Sequence, residues 1–141
     1  MANIKSFKDI KAWQKSRDLV KEIYRVTNNG KFTKDWSLKD QIRRAAVSIM
    51  SNIAEGFSRQ TDKEFIQFLY IAKGSASEVQ SQLYVAYDLS YINEETFNTL
   101  LDGTEIIANL IGGFIRYLKG ESADTRHETH DTGRKKQGGD S

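Results

Sequence analysis

The sequence predicts an all-α protein, an up-down-up-down antiparallel four-helix bundle followed by a disordered C-terminal tail. Three observations predict it. Apolar residues recur at spacings of three and four in four successive segments. Proline is absent from all 141 residues, and helix-favouring Lys, Glu, Gln, Ala and Leu are frequent. Short links rich in Gly, Asn, Ser and Thr separate the segments, as an up-down bundle requires. The expected helices span about 7–26, 38–57, 62–90 and 94–118. Residues 1–119 make the bundle and 120–141 the tail.

Helix one opens after Ser6, a plausible N-cap with Asp9 in the first turn. Its apolar residues Ile10, Trp13, Leu19, Val20, Ile23, Tyr24 and Val26 cover about half the wheel, wider than one core needs. Asn28-Asn29-Gly30 ends it, because these residues tolerate left-handed backbone angles. Ser37 is the expected cap of helix two. There Leu38, Ile42, Ala45, Ile49, Ile53 and Phe57 form one apolar stripe, opposite Arg44, Ser48, Ser51, Asn52, Glu55 and Arg59. Ser48, Asn52 and Glu55 on that polar back stand open as part of an interface or as a ligand site.

Thr61 and Glu64 have the spacing of a capping box for helix three. Its core seam is Phe65, Phe68, Leu69, Ala72, Ala76, Val79, Leu83 and Ala86. Beside that seam Tyr70, Ser77, Tyr84 and Tyr91 repeat every seven residues, next to the small run Gly74 to Ser77. A sevenfold repeat keeps one stripe facing a partner. Tyrosines there can also roof the bundle with their hydroxyls in water. Taken with the wide apolar face around Trp13, an intersubunit seam is the expectation. Asn93 caps helix four, with Glu94 and Glu95 at its positive end. Gly112-Gly113 inside that helix costs roughly 1 kcal/mol per glycine, which close packing against another helix would justify. Beyond Lys119 the chain has no apolar residue after Ala123, a composition that predicts disorder.

The chemistry of the sequence points to binding. Cysteine is absent, and the only histidines, His127 and His130, lie in the tail, which offers no preorganised metal site. Glu55 and Glu78 are the carboxylates to test for an acid–base pair, though solvated or paired carboxylates are the commoner case. No cofactor and no metal are expected. No apolar run approaches the ~20 residues of a membrane span, and the N-terminus shows no apolar signal core. The expectation is a soluble cytoplasmic protein.

The net charge of +2 hides an asymmetry. Residues 1–44 hold 12 Lys and Arg against 5 Asp and Glu, whereas residues 45–118 hold 4 against 9. A basic end can meet nucleic acid, or the acidic surface of a neighbouring copy, or be neutralised within the bundle. The candidate phosphate contacts are Lys8, Lys11, Lys15, Arg43, Arg44 and Arg59. Trp36 is the one plausible stacking platform, so nucleic-acid binding is expected to be electrostatic and sequence-tolerant.

The stretches QIRRAAVSIMSNIAEG (Gln41–Gly56) and KEFIQFLYIAKGSASE (Lys63–Glu78), with the opening FKDIKAWQKSRDLV (Phe7–Val20), resemble the 23S rRNA-intervening sequence proteins over roughly residues 5–118. Met50 stands where that family commonly has proline, so a straighter second helix is expected here. The resemblance implies a four-helix bundle assembling as a homopentameric ring. It also implies a likeness to the accessory variability-determinant proteins of diversity-generating retroelements, basic pentamers that bind nucleic acid and a reverse transcriptase. The reading is a non-enzymatic homo-oligomer that binds RNA or DNA. The alternative is a protein–protein scaffold that uses its charge asymmetry for ring assembly.

Overall fold

All four predicted helices are present. The computed structural model describes residues 4–120, and its helices are α1 (Lys11–Thr27), α2 (Trp36–Phe57), α3 (Asp62–Asp88) and α4 (Glu94–Leu118). No strand occurs among the described residues. The predicted disorder of the tail, and His127 and His130 within it, lie outside them from residue 121 onward. Consecutive helices pack side by side, and α1 closes the square against α4. The α2–α3 interface is the most extensive and the α1–α4 interface the thinnest.

The helix ends show which local signals prevailed. Ser6 does cap a turn, but only the short 3-10 turn Phe7–Asp9. The Asp9 carboxylate folds back to accept from the backbone N–H groups of Lys5 and Ser6, at 3.1 and 3.2 Å. Ile10 then turns extended and is buried, so α1 starts at Lys11. Gln14 Nε2 donates to the Lys8 carbonyl at 2.8 Å and fastens this turn to α1. Ser37 is not the cap of α2. Asp35 is, its Oδ1 accepting from Leu38 N at 3.1 Å, because a carboxylate is the stronger acceptor for the positive helix end. Ser37 sits in the first turn and accepts from Gln41 Nε2. From there α2 runs uninterrupted through Met50.

Thr61 and Asn93 cap α3 and α4 as expected, accepting from Glu64 N at 3.2 Å and Thr96 N at 2.8 Å. Helix α3 stops two residues short of its predicted end. Ser90 takes φ 62°, and the N–H groups of Ser90 and Tyr91 donate back to Tyr87 and Ala86. These two hydrogen bonds satisfy the carbonyls of Tyr87 and Ala86 and turn the chain.

The core lies where the four apolar stripes meet. Ile23, Ile42, Ile49, Ile53, Leu69, Val79, Leu83, Ile107 and Ile111 are fully buried, each worth about 1.5–3 kcal/mol of transfer free energy. Close helix approach occurs at a glycine other than the expected pair. A Cβ on Gly112 or Gly113 would meet only the flexible ends of Arg116 and Lys73, at 3.6–3.7 Å. A Cβ on Gly56 would lie 2.7 Å from Phe65 Cδ1 and 2.8 Å from Phe68 Cβ. The glycine that lets two helices touch is therefore Gly56, at the α2–α3 contact.

Candidate functional site

The register of α2 against α3 places most of the candidate polar residues. Gly56 faces Phe65 and Phe68, Ser48 faces Ser75, and Gln41 shares a groove with Glu78 and Gln82. Ser48 Oγ and Ser75 Oγ are 2.9 Å apart. Asn52 Nδ2 donates to both the Ser48 carbonyl and its hydroxyl, at 2.8 and 2.9 Å. Ser48 and Asn52 thus form a half-buried seam within the bundle. Glu55 points away from it and pairs with Arg59 at 2.7 Å. The same register sets Glu78 opposite Gln41, about 20 Å along α2 from Glu55 at ~1.5 Å per residue. The two carboxylates do not come together as an acid–base pair.

The six basic candidates divide between the two ends of the bundle. Arg43 is held by the C-terminal turn of α1. Its Nε donates to Thr27 Oγ1 at 2.8 Å, and its guanidinium lies 4.3 Å from the Tyr24 ring centre. Thr27 is fully buried and donates in turn to the Ile23 carbonyl, so this clamp ties α1 to α2. Arg44 is 79% exposed and bonds Asp40 at 2.8 Å. The hydrogen bond to that carboxylate, with its negative charge, raises the arginine further above its ordinary value.

Arg59 lies about 24 Å from Arg43, sixteen residues on at ~1.5 Å each. It pairs with Glu55 and covers the Phe68 ring. Lys8, Lys11 and Lys15 occupy that same end. All three are exposed and have no ion-pair partner among the described residues, and Lys11 and Lys15 share one face of α1. Trp36, the stacking candidate, is 76% exposed at the opposite end, with Lys39 Nζ 4.9 Å from its ring centre.

The sevenfold line also divides. Tyr70 and Tyr84 are about half exposed, and Ser77 between them is exposed. Tyr70 accepts from Lys119 Nζ at 3.1 Å, and Tyr84 meets Phe97 edge-on at 4.9 Å. Tyr91 turns inward instead. Its hydroxyl donates to Asp35 Oδ2 at 2.9 Å and its ring lies 5.2 Å from Phe32. That hydrogen bond, then desolvation and the carboxylate charge, raise the phenol above its ordinary value. Trp13 is buried edge-on against Phe7 at 5.0 Å, with Arg17 over its ring, so it serves the protomer's own core.

Sequence reasoning missed several polar contacts. Gln80 Nε2 donates to the buried Thr104 hydroxyl of α4 at 2.9 Å, and Asp35 joins the two links at one end of the bundle. The signal for Thr104 and Thr27 was their place on apolar stripes. A hydroxyl there can bond its own helix carbonyl and still accept from a neighbour.

In class this is a small antiparallel four-helix-bundle protein whose exposed surface combines a lysine face, paired arginines and half-exposed tyrosines. The model of the 23S rRNA-intervening sequence proteins matches residues 8–113, and the chain belongs to that family. Its structure is similar to a crystal structure of a protein with unknown function from the S23 ribosomal protein family of Bacteroides thetaiotaomicron. That likeness has a TM-score of 0.69 and 27% identity, covering 74% of this chain and 98% of that one. A comparison with curated proteins gives no match. No helix among the described residues is long and apolar enough to cross a membrane.

Proposed function

We propose that this protein is a non-enzymatic, homo-oligomeric nucleic-acid-binding accessory protein, working as the pentameric ring that the family resemblance implies. The observation that carries the reading is the set of exposed lysines at one end of the bundle, Lys8, Lys11 and Lys15. Three exposed ammonium groups without carboxylate partners are free to replace counterions along a phosphate backbone. Arg44 and Arg59 contribute less net charge, each having a carboxylate one turn away. Arg43 is already engaged by Thr27 and Tyr24. Recognition by such lysines is of backbone charge rather than base sequence.

The test is binding of labelled RNA and duplex DNA across a salt series, for the wild type and for the triple reversal of Lys8, Lys11 and Lys15 to glutamate. The expected result is affinity that falls steeply with salt. The reversal should lower the log–log slope by about three per protomer, roughly one per lost lysine contact. Weak, salt-independent binding by the wild type would remove the nucleic-acid role. A second reading, a protein–protein scaffold, is favoured by the exposed line of Tyr70, Ser77 and Tyr84. Loss of oligomeric mass in the lysine reversal would support it, placing those lysines between copies.

A further inference from the structure

One large aromatic side chain stands where packing within the protomer does not account for it. Trp36 is the first residue of α2 and is 76% exposed, whereas Trp13 lies in the core. Its backbone is firmly placed. Asp35 caps the helix by accepting from Leu38 N at 3.1 Å, and the other carboxylate oxygen accepts from Tyr91 at 2.9 Å. Lys39, nearly one turn on, has its Nζ 4.9 Å from the indole centre and donates to Thr33 Oγ1 at 3.4 Å. The residue stays open to solvent in spite of that contact, so much of the indole is free.

Trp36, Asp40, Arg43 and Val47 recur at spacings of four and three and share one face of α2. Beyond Trp36 that face walls an open groove of about 460 Å³ between α1 and α2, with Tyr24 on the far side. The cations along it are not equal. Arg44 is compensated by Asp40 at 2.8 Å. Arg43 is oriented by neutral groups, the Thr27 hydroxyl and the Tyr24 ring, and keeps its full charge. Neither it nor Lys34 nor Lys39 has an ion-pair partner among the described residues. The acidic start of α4, Glu94 and Glu95, belongs to the helix diagonally across the bundle from α2.

We propose that this strip binds single-stranded nucleic acid, with a base stacked on Trp36 and the adjoining phosphates held by Lys39 and Arg43 along the α1–α2 groove. The site rests on the nucleic-acid reading above and adds the form of the nucleic acid. An indole stacks any base, because every base has a π-face, but a duplex keeps those faces covered. Lys39 and Arg43 follow Trp36 by about 4.5 and 10.5 Å along the axis, at ~1.5 Å per residue, so a strand leaving the ring meets them in turn. Arg43 is already held in place by Thr27, which lowers the cost of ordering it on binding. Uncompensated cations beside the ring favour a polyanion over an uncharged apolar partner. The strip lies at the opposite end of the bundle from Lys8, Lys11 and Lys15, so the two contacts can be tested apart.

Trp36 reports its own occupancy, being the exposed one of only two tryptophans. Full-length protein is titrated at low salt with a short oligothymidylate and with duplex DNA of the same length, while tryptophan fluorescence and affinity are read. The expected result is saturable quenching by the single strand and little by the duplex. Trp36→Ala should abolish the quenching and weaken single-strand binding by about tenfold, the loss of one stacked base. Duplex affinity and helix content should not change, and Trp36→Phe should restore part of the single-strand affinity. Single-strand affinity that survives Trp36→Ala, or that falls equally for duplex, overturns the proposal. If salt-dependent binding is then lost in the triple lysine reversal, the electrostatic reading stands without it. Absence of binding to either form at low salt overturns both. A lower oligomeric mass for Trp36→Ala in light scattering also overturns the proposal, by placing the ring between copies.

Discussion

Replacing Gly56 by alanine tests the closest contact in the fold. Carbon atoms in contact prefer about 3.5–4.0 Å, and the new methyl would sit 2.8 Å from Phe68 Cβ and 2.7 Å from Phe65 Cδ1. Neither neighbour can step aside easily. Phe68 Cβ is attached directly to the α3 backbone, and the Phe65 ring is boxed between Phe57 and Phe114, at 6.1 and 5.3 Å. Helices α2 and α3 must therefore separate by several tenths of an ångström. Overpacking of this kind costs about 1–3 kcal/mol. The helix preference of alanine returns up to ~1 kcal/mol, and less in a last turn. The expected net loss is about 1–2 kcal/mol, a fall in Tm of roughly 4–8 °C for a fold of this size. Gly103→Ala is the control, since nothing lies within 4 Å of its added Cβ and it should gain up to ~1 kcal/mol. Thermal and urea unfolding by circular dichroism, at one protein concentration, reads both. A Gly56→Ala protein that melts at or above the wild type would refute the packing argument.

Three further perturbations address the polar contacts. Arg43→Ala should lose about 1–3 kcal/mol, the range for a hydrogen bond from a charged donor plus ring stacking. Arg43→Lys should recover only part of it, and full recovery in urea unfolding would dissolve the clamp. Tyr91→Phe removes the bond to Asp35, and its effect depends on pH. A phenol raised in the fold stabilises the folded state fully below the unfolded-state value near 10.0 and loses that contribution as pH rises through the folded value. The stability gap between Tyr91→Phe and the wild type should thus be constant below about pH 9 and close in alkali; a gap that persists unchanged in alkali would contradict this. Tyr84→Glu should lower the oligomeric mass in light scattering while leaving helix content intact. Unchanged mass would take the tyrosine line out of any subunit contact.

The helices were legible because their periodic stripes are long and uninterrupted, and burial of Ile42, Ile49, Ile53, Leu69 and Leu83 followed from spacing alone. The caps were legible where one short polar residue stood at the boundary, as at Thr61 and Asn93. They misled where two competed. Asp35 and Ser37 both precede an apolar stripe, and the charge of Asp35 decided between them. Trp13 and Tyr91 show what periodicity cannot give. A wide apolar face says that a ring is covered, not by which surface, and both proved to be covered from within the chain. Gly56 escaped because the sequence offers two adjacent glycines in α4 as a louder signal. Only the register of α2 on α3 reveals where the backbones meet.

Asp35 does two jobs, capping α2 and accepting from Tyr91, and Phe32 packs on the same tyrosine. Both the α1–α2 and the α3–α4 links are thereby stitched together at one pole. The opposite pole carries the start of α1, the α2–α3 link and the end of α4, so a group attached at Lys119 stands on the side of Lys8 and Lys11. A fluorophore or affinity handle placed there would crowd the lysine face. One set into the 28–31 stretch, at the stitched pole, would report from the far end of the molecule and leave that face clear.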